Sequence, residues 1–133
     1  MIVQPVPDSL AACAEAVLRT PDGRAKTAFA HACAAAWRAS RAAHAPMPRG
    51  HAAPPDHPAR PPSPELLSPR EVPKRKPGTP AGRIALLHAV AHIELNAVDL
   101  HWDIIARFTD TPMPLGFYDD WVQAADEEAK HFN

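Results

Sequence analysis

Four helical stretches can be read from the spacing of apolar residues along this chain. Ser9 is placed to cap a first helix running to about Arg19, and Thr20-Pro21 opens an alanine-rich second one to about His44. In that second helix Phe29, Cys33, Ala36, Trp37 and Ser40 recur at helical spacing and form a narrow packing seam. Thr79-Pro80 reads as the cap and first position of a long third helix to about Phe108, and a fourth starts near Gly116 and runs to the last residue. The breaker run Thr109-Asp110-Thr111-Pro112-Met113-Pro114 separates these two, so they are expected to pack as an antiparallel hairpin.

Within the third helix Ile84, Leu87, Ala91, Leu95, Val98, Trp102 and Ile105 form the expected core stripe, and Glu94 and His101 fall in the same arc. His88, His92, Asn96, Asp99 and Asp103 lie opposite and read as a solvated face. In the fourth helix Phe117, Trp121, Ala124, Ala125 and Phe132 share a face with Glu128, with His131 beside it, while Asp119, Asp126 and Lys130 read as pointing away. At roughly 1.5 Å per residue, Glu94 lies about 21 Å from the turn and Glu128 about 18 Å, so the two carboxylates come level. Two acids converging on a dry interior need a counter-charge, and a divalent cation supplies it. Glu128-Ala129-Lys130-His131 adds an imidazole on the next turn of the same face, about 5 to 6 Å away at Cβ. Mixed oxygen and nitrogen ligation suits iron or manganese.

Glu94 on one helix and a Glu-x-x-His on the next resemble the first half of the ferritin-like di-iron carboxylate site, where this pattern occurs twice on a four-helix bundle. The segments His88-Ala89-Val90-Ala91-His92-Ile93-Glu94-Leu95-Asn96, Phe117-Tyr118-Asp119-Asp120-Trp121 and Asp126-Glu127-Glu128-Ala129-Lys130-His131-Phe132 are similar to an uncharacterised bacterial family of ferritin-like proteins with a domain of unknown function. The stretch Pro64-Glu65-Leu66-Leu67-Ser68-Pro69 is similar to what precedes the bundle in that family. The resemblance implies an all-α, ferritin-like bundle of which this chain carries one hairpin plus an N-terminal helical pair. It also implies a two-metal centre, of iron or manganese, with Glu94, Glu128 and His131 as ligands and an oxygen-activating oxidoreductase as one expected activity. Members of that family continue through a second Glu and a second Glu-x-x-His, whereas this chain stops at Asn133. The expectation is therefore an N-terminal part of a longer protein, with only half a site encoded, completed either by a homodimer partner or by a missing C-terminal half. The alternative is a non-enzymatic helical module that binds a partner through its apolar hairpin face.

Composition divides the chain into residues 1–44, an alanine-rich helical pair, 45–79, a proline-rich linker, and 80–133, the hairpin. Twelve of the 17 prolines lie between Pro46 and Pro80, which keeps that segment out of helix and central strand. The alanine-rich pair buries little area per residue, so it is expected to lean on the hairpin. A net charge of -1 gives no field for nucleic acid or an anionic membrane. No stretch has the apolar length of a membrane span, and Met1-Ile2-Val3-Gln4-Pro5-Val6-Pro7 lacks a signal-peptide pattern, so a cytoplasmic location is expected. Cys13 and Cys33 lack metal-type spacing and read as structural thiols. In the linker, Pro58-Ala59-Arg60-Pro61, Lys74-Arg75-Lys76 and the histidines His44, His51 and His57 are weak matches to a polyproline ligand, a basic patch and a metal tract. They read as linker.

Overall fold

The computed structural model describes residues 4–44, 47–60, 78–111 and 113–132. These form four α-helices: α1 (Leu10–Leu18), α2 (Gly23–Ala42), α3 (Pro80–Arg107) and α4 (Leu115–Phe132). Among the described residues there is no strand. Three caps follow from the side chains. Ser9 accepts from the Ala12 amide, Asp22 from Ala25 and Thr79 from Gly82. The second helix thus starts later than Thr20-Pro21 suggested, because Asp22, not Thr20, supplies the capping oxygen. Its first residue, Gly23, sits tightly against the other end of the molecule, where an added Cβ would come 2.9 Å from Phe132 Cζ.

The hairpin of α3 and α4 is covered on one side by the N-terminal pair, with α1 against α3 and α2 against α4. One core results, drawn from all four helices: Leu10, Val17 and Leu18, then Phe29, Cys33 and Trp37, then Val98, Trp102 and Ile105, then Tyr118, Val122 and Ala125. Tyr118, fully buried, donates its hydroxyl to the Phe108 and Thr111 carbonyls and so fixes the α3–α4 turn. The Cys13 and Cys33 thiols meet across α1 and α2 as a buried, reduced pair. Their mutual hydrogen bond, with burial, pushes Cys33 upward, and the same bond holds Cys13 below the usual thiol range.

Residues 47–60 run along α1 as a strap. The Pro48 and Arg49 carbonyls accept from the Leu10 and Ala11 amides at 2.9 and 2.8 Å, which satisfies two of the open donors at the start of α1. Gly50 makes this approach feasible: its φ is +70°, and a Cβ there would lie 2.5 Å from Ser9 Oγ. Further along, the Ala59 amide donates to Leu18 O, and Arg60 hydrogen-bonds Asn96. The Ala59-Arg60 part of the polyproline match is therefore engaged within the chain. His51 pairs with Asp110 rather than with the other linker histidines. Pro61, Lys74-Arg75-Lys76 and Pro64 to Pro69 lie outside the described residues.

Two expectations about helix faces are corrected. Asp99, read as solvated, is buried at 2% exposure, where it receives a 2.5 Å hydrogen bond from the fully buried Lys26. Asp126, read as pointing away, is also fully buried and is bound by Arg38 and His31 of α2. The α3 stripe, moreover, is a core stripe only from Leu95 onward. Ile84 and Leu87 are 56% and 67% exposed.

Candidate metal centre

On the side of the hairpin away from α1 and α2, Glu94, Glu128 and His131 come together. One ligand atom from each lies within 4.8 Å of the others. His131 Nδ1 is 3.5 Å from Glu94 Oε2 and 3.4 Å from Glu128 Oε2. The backbone explains the meeting: the antiparallel turn levels Glu94 with the last turns of α4, and the three-residue step from Glu128 to His131 keeps both on one face. What the sequence misjudged is the surroundings. The side chains of Glu94 and Glu128 are 22% and 27% exposed, and that of His131 is 61% exposed, so the cluster sits at an open surface rather than in a dry interior.

The two acids of the cluster are shifted in opposite directions. A hydrogen bond from the Glu94 carboxyl to Glu128, together with desolvation and the negative charge of Glu128, raises Glu94 above the usual carboxylate range. The same bond, helped by His131, lowers Glu128. Two carboxyls and an imidazole held this close form a donor set that fits a hard or borderline divalent cation, since carboxylate oxygens and an imidazole nitrogen both ligate such ions. Three protein donors leave coordination positions open.

His101 lies near this group. Its ring rests on Trp121, with centroids 5.3 Å apart, and burial lowers its pKa against the pull of Glu128. Its Nδ1 is buried without a hydrogen-bond partner among the described residues. His88 is exposed and His92 half-buried. Neither joins the cluster.

The charged groups that the sequence reading missed are on the covered side. Lys26 Nζ donates to Asp99 and, at 2.8 Å, to the Ala59 carbonyl, with Arg60 3.8 Å from the other Asp99 oxygen. Burial pushes Lys26 down and Asp99 up, and their ion pair opposes both shifts. For Asp126, burial raises the pKa, but the hydrogen bonds from His31 and Arg38 outweigh it and leave the group below its usual value. Helical periodicity reports apolar spacing and carries no sign that a distant lysine or arginine meets these acids. A cleft of about 480 Å³ between α2 and α4 is lined by Trp37, Arg38, Arg41 and Asp119, remote from the glutamates. Both of its guanidiniums are already taken, Arg38 by Asp126 and Arg41 by Asp119.

The fold and site define an all-helical protein whose hairpin presents a two-carboxylate, one-imidazole cluster. Residues 19–133 match the family described as Protein of unknown function (DUF455), and the chain belongs to that family. It is also 42% identical over 80 residues to an uncharacterized protein of Haemophilus influenzae, a match covering 56% of this chain and 28% of the relative. No solved structure matches. Among the described residues no helix is long and apolar enough to cross a membrane.

Proposed function

We propose that this chain is a metal-binding protein of ferritin-like type, in which Glu94, Glu128 and His131 hold iron or manganese as half of a two-metal carboxylate centre. The observation that carries this reading is the convergence of the three donors within 4.8 Å on facing turns of α3 and α4. When bound, such metals supply redox chemistry toward dioxygen or a peroxide, which makes an oxidoreductase the favoured class. The protein's part is to hold two acids and an imidazole in register and to leave one side of the ion accessible. Trp121 and Phe117, half-buried and in ring contact with each other, lie two and three turns nearer the α3–α4 turn on α4.

Equilibrium dialysis against ferrous iron and Mn(II) under anaerobic conditions tests the ligation directly. Uptake is expected for the native chain, with a loss of at least roughly tenfold in affinity for Glu94→Gln and for His131→Ala. A native chain that takes up neither ion, or a Glu94→Gln chain that binds as well as native, overturns the reading. A second reading, a non-enzymatic interaction module, is favoured by the exposed apolar side chains of α3. It predicts partner binding that survives Glu94→Gln.

A further inference from the structure

We infer that Cys13 and Cys33 are a peroxide-responsive thiol pair, which hydrogen peroxide converts to a disulfide between α1 and α2. The site is separate from the glutamates and needs no metal. Both thiols are free and fully buried, and both belong to the shared core. They are also arranged in series. The Cys33 thiol donates to the Cys13 sulfur, and the Cys13 thiol is directed at the Pro7 carbonyl, 3.8 Å away. A thiol that only fills space packs as well beside a leucine, whereas one set against a second sulfur has a resolving partner at hand.

Burial ordinarily makes a cysteine inert, so the cover over the pair decides whether an oxidant reaches it. Cys13 lies under residues 4–8, a stretch of chain with neither helix nor strand. Among the described residues, the one hydrogen bond of this stretch is the weak contact from the Cys13 thiol, and its apolar anchor on the core is the half-buried Val6. Segments held this lightly open locally while the rest of the fold stays closed. Cys13 is the sulfur that such an opening uncovers to a molecule as small as hydrogen peroxide.

The order of events follows from the same arrangement. With its proton released to water, the Cys13 sulfur attacks one peroxide oxygen; the O–O bond breaks, Cys13 becomes a sulfenic acid, and the other oxygen leaves as hydroxide and takes up the released proton. The Cys33 sulfur then attacks Cys13: an S–S bond forms, the S–O bond breaks, and the hydroxyl departs as a second water with the Cys33 proton. Two thiols lose two electrons, and one peroxide becomes two waters. Cys13 is suited to react first because accepting the Cys33 hydrogen bond favours its thiolate, while Cys33 is held as the thiol. The bridge ties together the two helices that cover the hairpin, and a dithiol releases it.

The test exposes the whole reduced chain to hydrogen peroxide, blocks remaining thiols with N-ethylmaleimide in denaturant and follows the tryptic peptides by mass. The expected product joins the peptide ending at Arg19 to that ending at Arg38, about 2 Da lighter than their sum and split by dithiothreitol. Cys33→Ala is expected to stop at a sulfenic acid on Cys13, trapped by dimedone. Val6→Ser, which loosens the cover and leaves both sulfurs in place, is expected to speed bridge formation by at least roughly threefold. Two maleimide-labelled cysteines after peroxide, separate oxidation of the two sulfurs to sulfinic acids, or a bridge formed only between two chains overturns the pairing. A rate unmoved by Val6→Ser overturns entry through residues 4–8.

Discussion

The two faces of the α3–α4 hairpin treat their acids differently. Toward α1 and α2, Asp99 meets Lys26 and Asp126 meets Arg38 and His31, so each buried carboxylate is answered by a cation from the same chain. Toward the open side, Glu94 and Glu128 have each other and one half-exposed imidazole. Acids that serve the fold are neutralised internally, and those left over are where an external cation is expected.

Breaking the covered face is expected to have the largest effect. Lys26→Met leaves buried Asp99 with only Arg60, 3.8 Å from one oxygen, as counter-charge and is expected to cost about 3 to 5 kcal/mol in urea unfolding. The double change Lys26→Met/Asp99→Leu is expected to recover most of that, because the penalty belongs to the uncompensated charge. Trp102→Ala, in the same covered layer, is expected to cost a similar amount, about 3 to 5 kcal/mol. Asp126→Asn comes next, at about 1 to 3 kcal/mol, from the unmade bonds to Arg38 and His31. Because the folded Asp126 pKa lies below its unfolded value, its contribution is complete above about pH 4 and is lost as pH falls through the folded value. Acid titration of stability is expected to be shallower in Asp126→Asn. Leu86→Ser, on the open face, is expected to shift stability by less than about 0.5 kcal/mol, by the same urea measurement. The smallest effect is expected for Glu94→Gln, whose urea midpoint in the absence of metal should coincide with that of the native chain. A clear loss there would mean that the glutamates serve the fold after all.

The helices were legible because their signals are local. Ser9, Thr79-Pro80 and the breaker run before Leu115 each act within one turn, and the caps at Ser9 and Thr79 form as read. The level placement of Glu94 and Glu128 was legible too, since it needs only helical rise and a short turn. The fate of Asp99 and Asp126 was not. Their partners lie 73 and 88 residues away in sequence for Lys26 and Arg38, and only the packed fold brings them together. The exposure of Ile84 and Leu87 escaped for the opposite reason: periodicity marks a face as apolar without saying which neighbour covers it.

The strap has a consequence for how the molecule closes. Its composition is that of a spacer, yet it supplies acceptors to the first amides of α1 and to Lys26, and a guanidinium, that of Arg49, to the Met113 carbonyl and the Tyr118 ring. Proline stiffens the unattached chain, so less freedom is surrendered when it docks. A protease cut at this belt would leave every helix intact, and the N-terminal pair would then be held to the hairpin by the shared core and the Lys26–Asp99 and Arg38–Asp126 pairs alone.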